Sequence, residues 1–144
     1  MTTDVKELKL ETSRVIAAPR EALYDAWLDP KMLARFMRPG ENMSVPEATT
    51  DPKVGGRFRV VMRAGDNDMP HEGSYVTLDR PNRLEFTWES HASTIEGSTV
   101  SIDFDEVEGG TKVSLTHVRF PSEEIRDNHK GGWTSILAAL DAST

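Results

Sequence analysis

Two histidines near the C-terminus are the residues of this sequence best suited to chemistry. His117 lies in "TKVSLTHV", where alternation places it on the face of Val113 and Leu115, and His129 lies four residues before Trp133. Strand side chains repeat every two residues and helical ones about every 3.6, so both imidazoles are predicted to point inward. Because imidazole titrates near neutral pH, either ring could orient or protonate a ligand. The alternative, which the sequence favours, is two hydrogen-bonded core histidines that brace a strand-to-helix corner.

A second set of residues is apolar and mostly aromatic and is expected to line the space between sheet and helix. Apolar pockets with a few polar groups are the general form of small-molecule sites, although each of these residues could simply be core. The predicted ligand-binding residues are Phe58, Met62, Tyr75, Phe86, Trp88, Phe104, His117, His129 and Trp133. Within this set, Tyr75 and the two histidines would supply orienting hydrogen bonds.

Several other chemistries are excluded by composition and spacing. The chain has no cysteine, so disulfides, thiolate metal sites and cysteine nucleophiles cannot occur. Its four histidines show no HxH or HExxH spacing, and zinc normally requires three or four protein ligands. The glycines of "GGRF" lead into a strand and lack the ending of a phosphate-binding loop. We therefore predict no metal site, no cofactor and no identifiable catalytic residue.

The charge pattern argues against nucleic-acid and anionic-membrane partners. The 144-residue chain has a formal net charge of -7, and its basic residues are scattered rather than concentrated on one face. It has neither an apolar export segment nor a run of 18 apolar residues, so a cytoplasmic protein is expected. Arg57, Arg59 and Arg63 alternate along one strand, either as a solvated face or as a contact for an acidic partner. Glu72 is a candidate cavity carboxylate if its strand turns it inward.

These residues must be positioned by a single α+β domain over residues 1–144. A first strand is predicted at 8–17, followed by short helices that begin at Pro19 and Pro30 and form a lid or shoulder. Alternating segments then predict a meander of about six strands, with a turn at "DNDMP" and one strand over "RLEFTWES". Ser122 is the expected N-cap of a long last helix, which covers the apolar face of the sheet.

Gly131 and Gly132 stand in the middle of this last helix, directly before Trp133. Each glycine costs roughly 1 kcal/mol relative to alanine in a helix interior, so a compensating role is expected. Two roles are open, of which the first is preferred. The glycines allow the helix to approach the sheet closely, or they leave room beside it for a ligand.

Five segments together resemble one family. They are "RVIAAPREALYDAWLDPKML", "DPKVGGRFRV", "EGSYVTLDRPNRLEFTW", "GGTKVSLTHVRFP" and "HKGGWTSILAAL". In this order they resemble the SRPBCC, or START-like, superfamily, in the branch related to the C-terminal domain of the heat-shock-protein-90 ATPase activator. The resemblance implies a helix-grip fold, in which a curved antiparallel sheet wraps around the C-terminal helix and leaves a cavity between them.

Three functions follow, in order of preference. The first is binding of a small hydrophobic or aromatic molecule in the cavity. The second, implied by the chaperone-activator branch and its stress-response role, is a protein-interaction module with a chaperone as partner. The third is a cyclase- or aromatase-like enzyme that uses the cavity histidines, as in other members of the superfamily. The sequence leaves monomer and homodimer open, because a fold settles architecture far better than activity.

Overall fold

The computed structural model describes residues 8–90 and 95–144, which form an α+β arrangement around one buried core. One strand, two short helices, a run of strands and a long last helix follow one another, as the sequence predicts. In chain order the elements are β1 (Lys9–Ile16), α1 (Arg20–Ala26), α2 (Pro30–Phe36), β2 (Met43–Thr50), β3 (Arg57–Ala64), β4 (Asn67–Asp79), β5 (Arg83–Thr87), β6 (Glu89–Ser90), β7 (Thr99–Val107), β8 (Gly110–Val118) and α3 (Glu123–Ala142).

The strands form one antiparallel sheet in the order β1-β8-β7-β5-β4-β3-β2, and β6 pairs with β4. β4 joins the two halves of the sheet, because it pairs with β3 and β6 along its first part and with β5 along its last. Its register shifts between Tyr75 and Thr77. Irregularities of this kind bend a strand and increase its twist. The sheet therefore curls into a half-barrel around α3, which confirms the predicted helix-grip fold.

Two predicted strand boundaries are wrong. The single strand expected over "RLEFTWES" is interrupted at Trp88, whose backbone N–H donates to the Ser98 carbonyl at 2.9 Å. The turn expected at 66–70 is instead a two-residue loop at Gly65 and Asp66, because Ala64 already pairs with Asn67. Gly65 has a φ of 61°, a left-handed conformation suited to such tight hairpins.

α3 begins as predicted, because the Ser122 hydroxyl accepts a hydrogen bond from the Ile125 backbone N–H at 3.2 Å. Two side-chain contacts join α3 to β1, the first strand of the sheet. Thr134 Oγ1 lies 3.0 Å from Thr12 Oγ1, and the Arg14 guanidinium donates to the Asp141 carboxylate at 2.8 Å. The helix thus lies in the concave face of the sheet.

The two short helices contribute to the core rather than forming only a lid or shoulder. Asp29 caps α2 through a hydrogen bond from the Lys31 backbone N–H, and Pro30 occupies the first helical turn. Trp27 and Phe36 are buried and meet edge to face, with ring centroids 5.0 Å apart. This pair closes the end of the half-barrel against Trp133, whose ring lies 6.3 Å from that of Trp27.

Candidate functional site

His117 is completely buried, and protein groups engage both of its ring nitrogens. Trp133 Nε1–H donates to His117 Nδ1 at 3.0 Å, and His117 Nε2 lies 2.7 Å from the Ser98 hydroxyl. Since an indole N–H can only donate, Nδ1 carries no proton and the neutral ring is protonated at Nε2. Burial, and to a lesser extent His129, lowers the pKa of His117 to about 3. His117 is therefore a neutral ring that fixes the Trp133 indole by accepting its N–H hydrogen bond.

His129 is partly buried and lies beside His117, with the two rings edge to face at 5.4 Å. Its Nδ1 is 2.9 Å from the Ile125 carbonyl oxygen, so Nδ1–H is the donor in that contact. Burial lowers the pKa of His129, and the hydrogen bond to Ile125 partly opposes this shift. In the neutral ring, Nε2 is then the nitrogen left for another partner.

A cavity of about 170 Å³ lies between α3 and the sheet. The space is open to solvent, and its volume is close to the roughly 150 Å³ of an enclosed apolar cavity that binds benzene. Its walls come from the loop after α2, from β3, β4, the break between β5 and β6, and α3. The lining residues are Pro39, Met62, His71, Trp88, Asn128, His129, Gly132, Trp133 and Ile136.

Two nitrogens in this wall are buried without a hydrogen-bond partner in the described part of the chain, namely His71 Nδ1 and Trp88 Nε1. The two rings are neighbours, with centroids 4.8 Å apart. Burial, together with the nearby His129, lowers the pKa of His71 to about 4, so this ring is neutral at physiological pH. Both nitrogens have almost no accessible surface, so the parts of these two rings that line the cavity are their apolar parts.

Three of the predicted ligand-binding aromatics surround a region that side chains already fill. Phe58, Tyr75 and Phe86 line a space of only about 10 Å³, barely enough for one water molecule. The Phe58 ring lies 5.3 Å from that of Phe86 and 5.4 Å from that of Tyr75. Burial raises the pKa of the Tyr75 hydroxyl. Phe104 lies elsewhere, edge to face with Tyr24 at 5.7 Å.

The structure thus brings four predicted residues, Met62, Trp88, His129 and Trp133, together around one cavity. Sequence reasoning did not select His71 for the site, although a signal was present. His71 precedes the buried Tyr75 by four residues in β4, and residues spaced by two or four share one face of a strand. The two-residue alternation of strand side chains thus predicted that His71 points inward. Its position beside Trp88 depends on the folded sheet.

The two glycines of α3 have different surroundings. A Cβ at residue 131 would meet no atom within 4 Å, whereas a Cβ at residue 132 would lie 3.2 Å from Pro39 Cβ. The close approach at Gly132 is therefore to the loop after α2, and not to the sheet as preferred from the sequence. Gly132 also lines the cavity, so the second expected role, room for a ligand, stays a prediction at this position.

The arginines of β3 are paired with acidic side chains on the outer face of the sheet. Arg57 donates to Glu89 at 2.8 Å, Arg59 donates to both Glu47 and Glu72 at 2.6 and 2.9 Å, and Arg63 donates to Asp68 at 2.6 Å. Since it takes part in these pairs, Glu72 is not a cavity carboxylate. The acidic groups for these arginines come from the sheet itself.

A half-barrel of antiparallel strands that curls around a long C-terminal helix defines a helix-grip protein. The chain belongs to the family described as "Activator of Hsp90 ATPase homolog 1-like protein", which matches residues 17–143. This membership confirms the resemblance drawn from the sequence. No curated protein matches the chain significantly.

Solved structures of the same architecture come from several bacteria. A Chromobacterium violaceum protein is 25% identical, with a TM-score of 0.82 over 94% of this chain and 95% of its own. An AHSA1-like protein from Aeromonas hydrophila is 27% identical, with a TM-score of 0.78 over 94% and 90% of the two chains. A Mycobacterium smegmatis protein, at 21% identity and a TM-score of 0.78 over 97% and 92%, shares the fold.

Within residues 8–90 and 95–144, no three His, Asp or Glu side chains are grouped so that they could hold a metal ion. None of the helices described is both long and apolar enough to cross a membrane.

Proposed function

We propose that this protein binds a small apolar or aromatic molecule in the cavity between the sheet and α3. The observation that carries the proposal is the cavity of about 170 Å³ with Met62, Trp88, Trp133 and Ile136 in its wall. Burying apolar surface contributes about 25 cal/mol per Å², so these walls supply affinity to any ring that fits between them. Family membership supports the same class of function, because this fold serves ligand-binding and interaction modules.

The interaction and enzyme alternatives have less support in the site itself. An acidic partner would have to displace the carboxylates that already pair with Arg57, Arg59 and Arg63. A cyclase-like mechanism would need a histidine that exchanges protons with a bound ligand. His117 does not line the cavity, and its two nitrogens are bonded to Trp133 and Ser98. His71 and His129 do line it, but no Asp or Glu stands beside them in the wall to form an acid–base pair.

The first test is direct detection of binding. Native mass spectrometry of freshly purified protein should reveal a non-covalent adduct that is lost on denaturation. Two of the three tryptophans, Trp88 and Trp133, line the cavity, so titration with toluene should change tryptophan fluorescence saturably. A dissociation constant on the order of 1 mM or below is expected for a ligand of this size. A clean mass together with no saturable response to toluene would contradict the proposal.

A pair of variants tests where the ligand binds. Ile136→Phe places a larger side chain in the cavity and should weaken toluene binding at least about tenfold, at a stability cost of about 1–3 kcal/mol. Met62→Leu is the matched control, because it changes the same wall with little change in volume and should alter affinity less than about threefold. Equal binding by the wild type and a folded Ile136→Phe variant would place the ligand elsewhere.

A further inference from the structure

The cavity between the sheet and α3 has a buried floor and an exposed rim. The floor consists of four lining residues that are each 3% exposed or less, namely Met62, Trp88, Trp133 and Ile136. The rim consists of the other five, which are partly or fully exposed, namely Pro39, His71, Asn128, His129 and Gly132. The cavity therefore opens to solvent where α3 faces β4 and the loop after α2, and a bound molecule can extend outward on that side.

Gly132 and Pro39 bring two sides of this rim together. A Cβ at residue 132 would lie 3.2 Å from Pro39 Cβ, which is closer than an ordinary van der Waals contact. The further atoms of a longer side chain would therefore displace the loop after α2 or lie across the rim. Because Gly132 has no side chain, the rim stays open at this point.

Neither the backbone nor close packing alone requires a glycine at position 132. The residue lies inside α3 and does not have a positive φ, so an L-residue can adopt its conformation. An alanine there would need Pro39 to yield by only a few tenths of an ångström and would favour the helix. The remaining effect of the missing side chain is space at the rim of the cavity.

We infer that Gly132 determines which ligands fit, because it lets a substituent of the bound ring pass out between α3 and the loop after α2. The aromatic ring lies on the floor of the cavity, against Trp88 and Trp133, and an unbranched apolar chain extends from it past Gly132. The ligand class is thus an aromatic ring with a short alkyl chain. This inference rests on the proposed function and adds the shape of the ligand and the residue that selects it.

Toluene and propylbenzene provide the matched pair of probes, since propylbenzene only adds two methylene groups to the chain. Each methylene group that leaves water adds to affinity, so the wild-type protein should bind propylbenzene at least about threefold more tightly than toluene. Tryptophan fluorescence follows both titrations, because Trp88 and Trp133 line the cavity.

Two leucine variants assign this preference to one position. Gly132→Leu should weaken propylbenzene binding at least about tenfold, because the new side chain occupies the path of the alkyl chain. Gly131→Leu is the matched control, since it adds the same side chain to the preceding residue of the same helix. Gly131 does not line the cavity, and a Cβ there would meet no atom within 4 Å. Gly131→Leu should therefore change propylbenzene affinity less than about threefold.

The outcomes separate the inference from the function on which it rests. Propylbenzene affinity of a folded Gly132→Leu variant within about threefold of the wild type, or an equal loss in Gly131→Leu, would overturn the role of Gly132 and leave the binding function in place. Wild-type protein that binds toluene but not propylbenzene would do the same. Binding of neither probe, together with a clean native mass, would overturn both.

Gly132→Ala decides the question if Gly132→Leu does not fold. Its methyl group narrows the rim without filling the cavity, so the propylbenzene-to-toluene affinity ratio should fall at least about twofold. An unchanged ratio in Gly132→Ala would then overturn the inference.

Discussion

At the scale of single residues, the neutral ring of His117 in β8 links the sheet to α3 through two hydrogen bonds. Its two hydrogen bonds reach Ser98 before β7 and Trp133 in α3, and all three side chains are buried. The Phe120 ring packs against it at a tilt of 52°, with ring centroids 4.4 Å apart, at the corner where β8 leads to α3. The position of the Trp133 indole, and with it one wall of the cavity, therefore depends on a residue that does not line that cavity.

Removing the His117 ring nitrogens should be costly. His117→Phe leaves the Trp133 N–H and the Ser98 hydroxyl buried without partners, so the free energy of unfolding should fall by about 2–4 kcal/mol. His129→Leu is the comparison, because the His129 ring donates to a backbone carbonyl of its own helix. It should weaken ligand binding while the protein stays folded. Urea denaturation measures the stability of both variants, and the toluene titration measures ligand binding by His129→Leu. A loss of stability below about 0.5 kcal/mol in His117→Phe would contradict the prediction.

The buried histidines also predict how stability depends on pH. The pKa values of His71 and His117 lie near 4 and 3 in the folded protein, against 6.5 for a free histidine. As the pH falls below 6.5, the unfolded chain binds protons that the folded protein does not, so stability decreases. Each such proton contributes a slope of up to about 1.4 kcal/mol per pH unit between about pH 6.5 and 5.

His117→Gln tests this linkage with the hydrogen-bond chain retained. A glutamine can accept from Trp133 Nε1–H and donate to Ser98, but it does not titrate. Urea unfolding at several pH values should therefore give a slope smaller by about one proton than in the wild type. Carboxylates held low by arginine, such as Asp25 and Glu89, titrate at more acidic pH and contribute below this interval. An unchanged slope would show that His117 is protonated alike in both states.

At the scale of elements, alternation and helical spacing were sufficient to predict the helices, most strand segments and the inward face of β3. They failed where a neighbouring element decides the outcome. The alternation of Leu84, Phe86 and Trp88 continues without a break, yet the strand is interrupted because Trp88 pairs its backbone with Ser98. His71 lay on the correct face, but its unpaired nitrogen arises only when β4 is placed beside Trp88.

The glycines of α3 give a prediction that belongs to the helix as a unit. Gly131→Ala should raise the free energy of unfolding by up to about 1 kcal/mol, because the added methyl group meets open space. Gly132→Ala gains the same helix propensity but presses on Pro39 at 3.2 Å, so its net gain should be smaller. Parallel urea denaturations compare the two directly. A larger gain in Gly132→Ala would mean that the loop after α2 yields without cost.

At the scale of the whole molecule, the cavity exists because five separate parts of the chain converge. Its lining residues are far apart in the sequence, as the numbers of Pro39, Met62, His71 and Ile136 show, and no local pattern links them. The sequence predicted a cavity only through the family resemblance, and its candidate residues divided between the open space and the filled region around Phe58. Packing decides that division, since side-chain volumes and strand curvature act together.

The partners of β1 have a consequence for synthesis of the protein. β1 is the first strand along the chain, yet it pairs with β8, so that Lys9 faces Val118 and Ile16 faces Thr111. During translation β1 has no partner until β8 is made, which begins only at Gly110, and α3 emerges later still. The apolar concave surface is therefore uncovered on the ribosome, and such sequence-distant pairings fold slowly. A nascent chain arrested before residue 123 would be a substrate for chaperones rather than a folded protein.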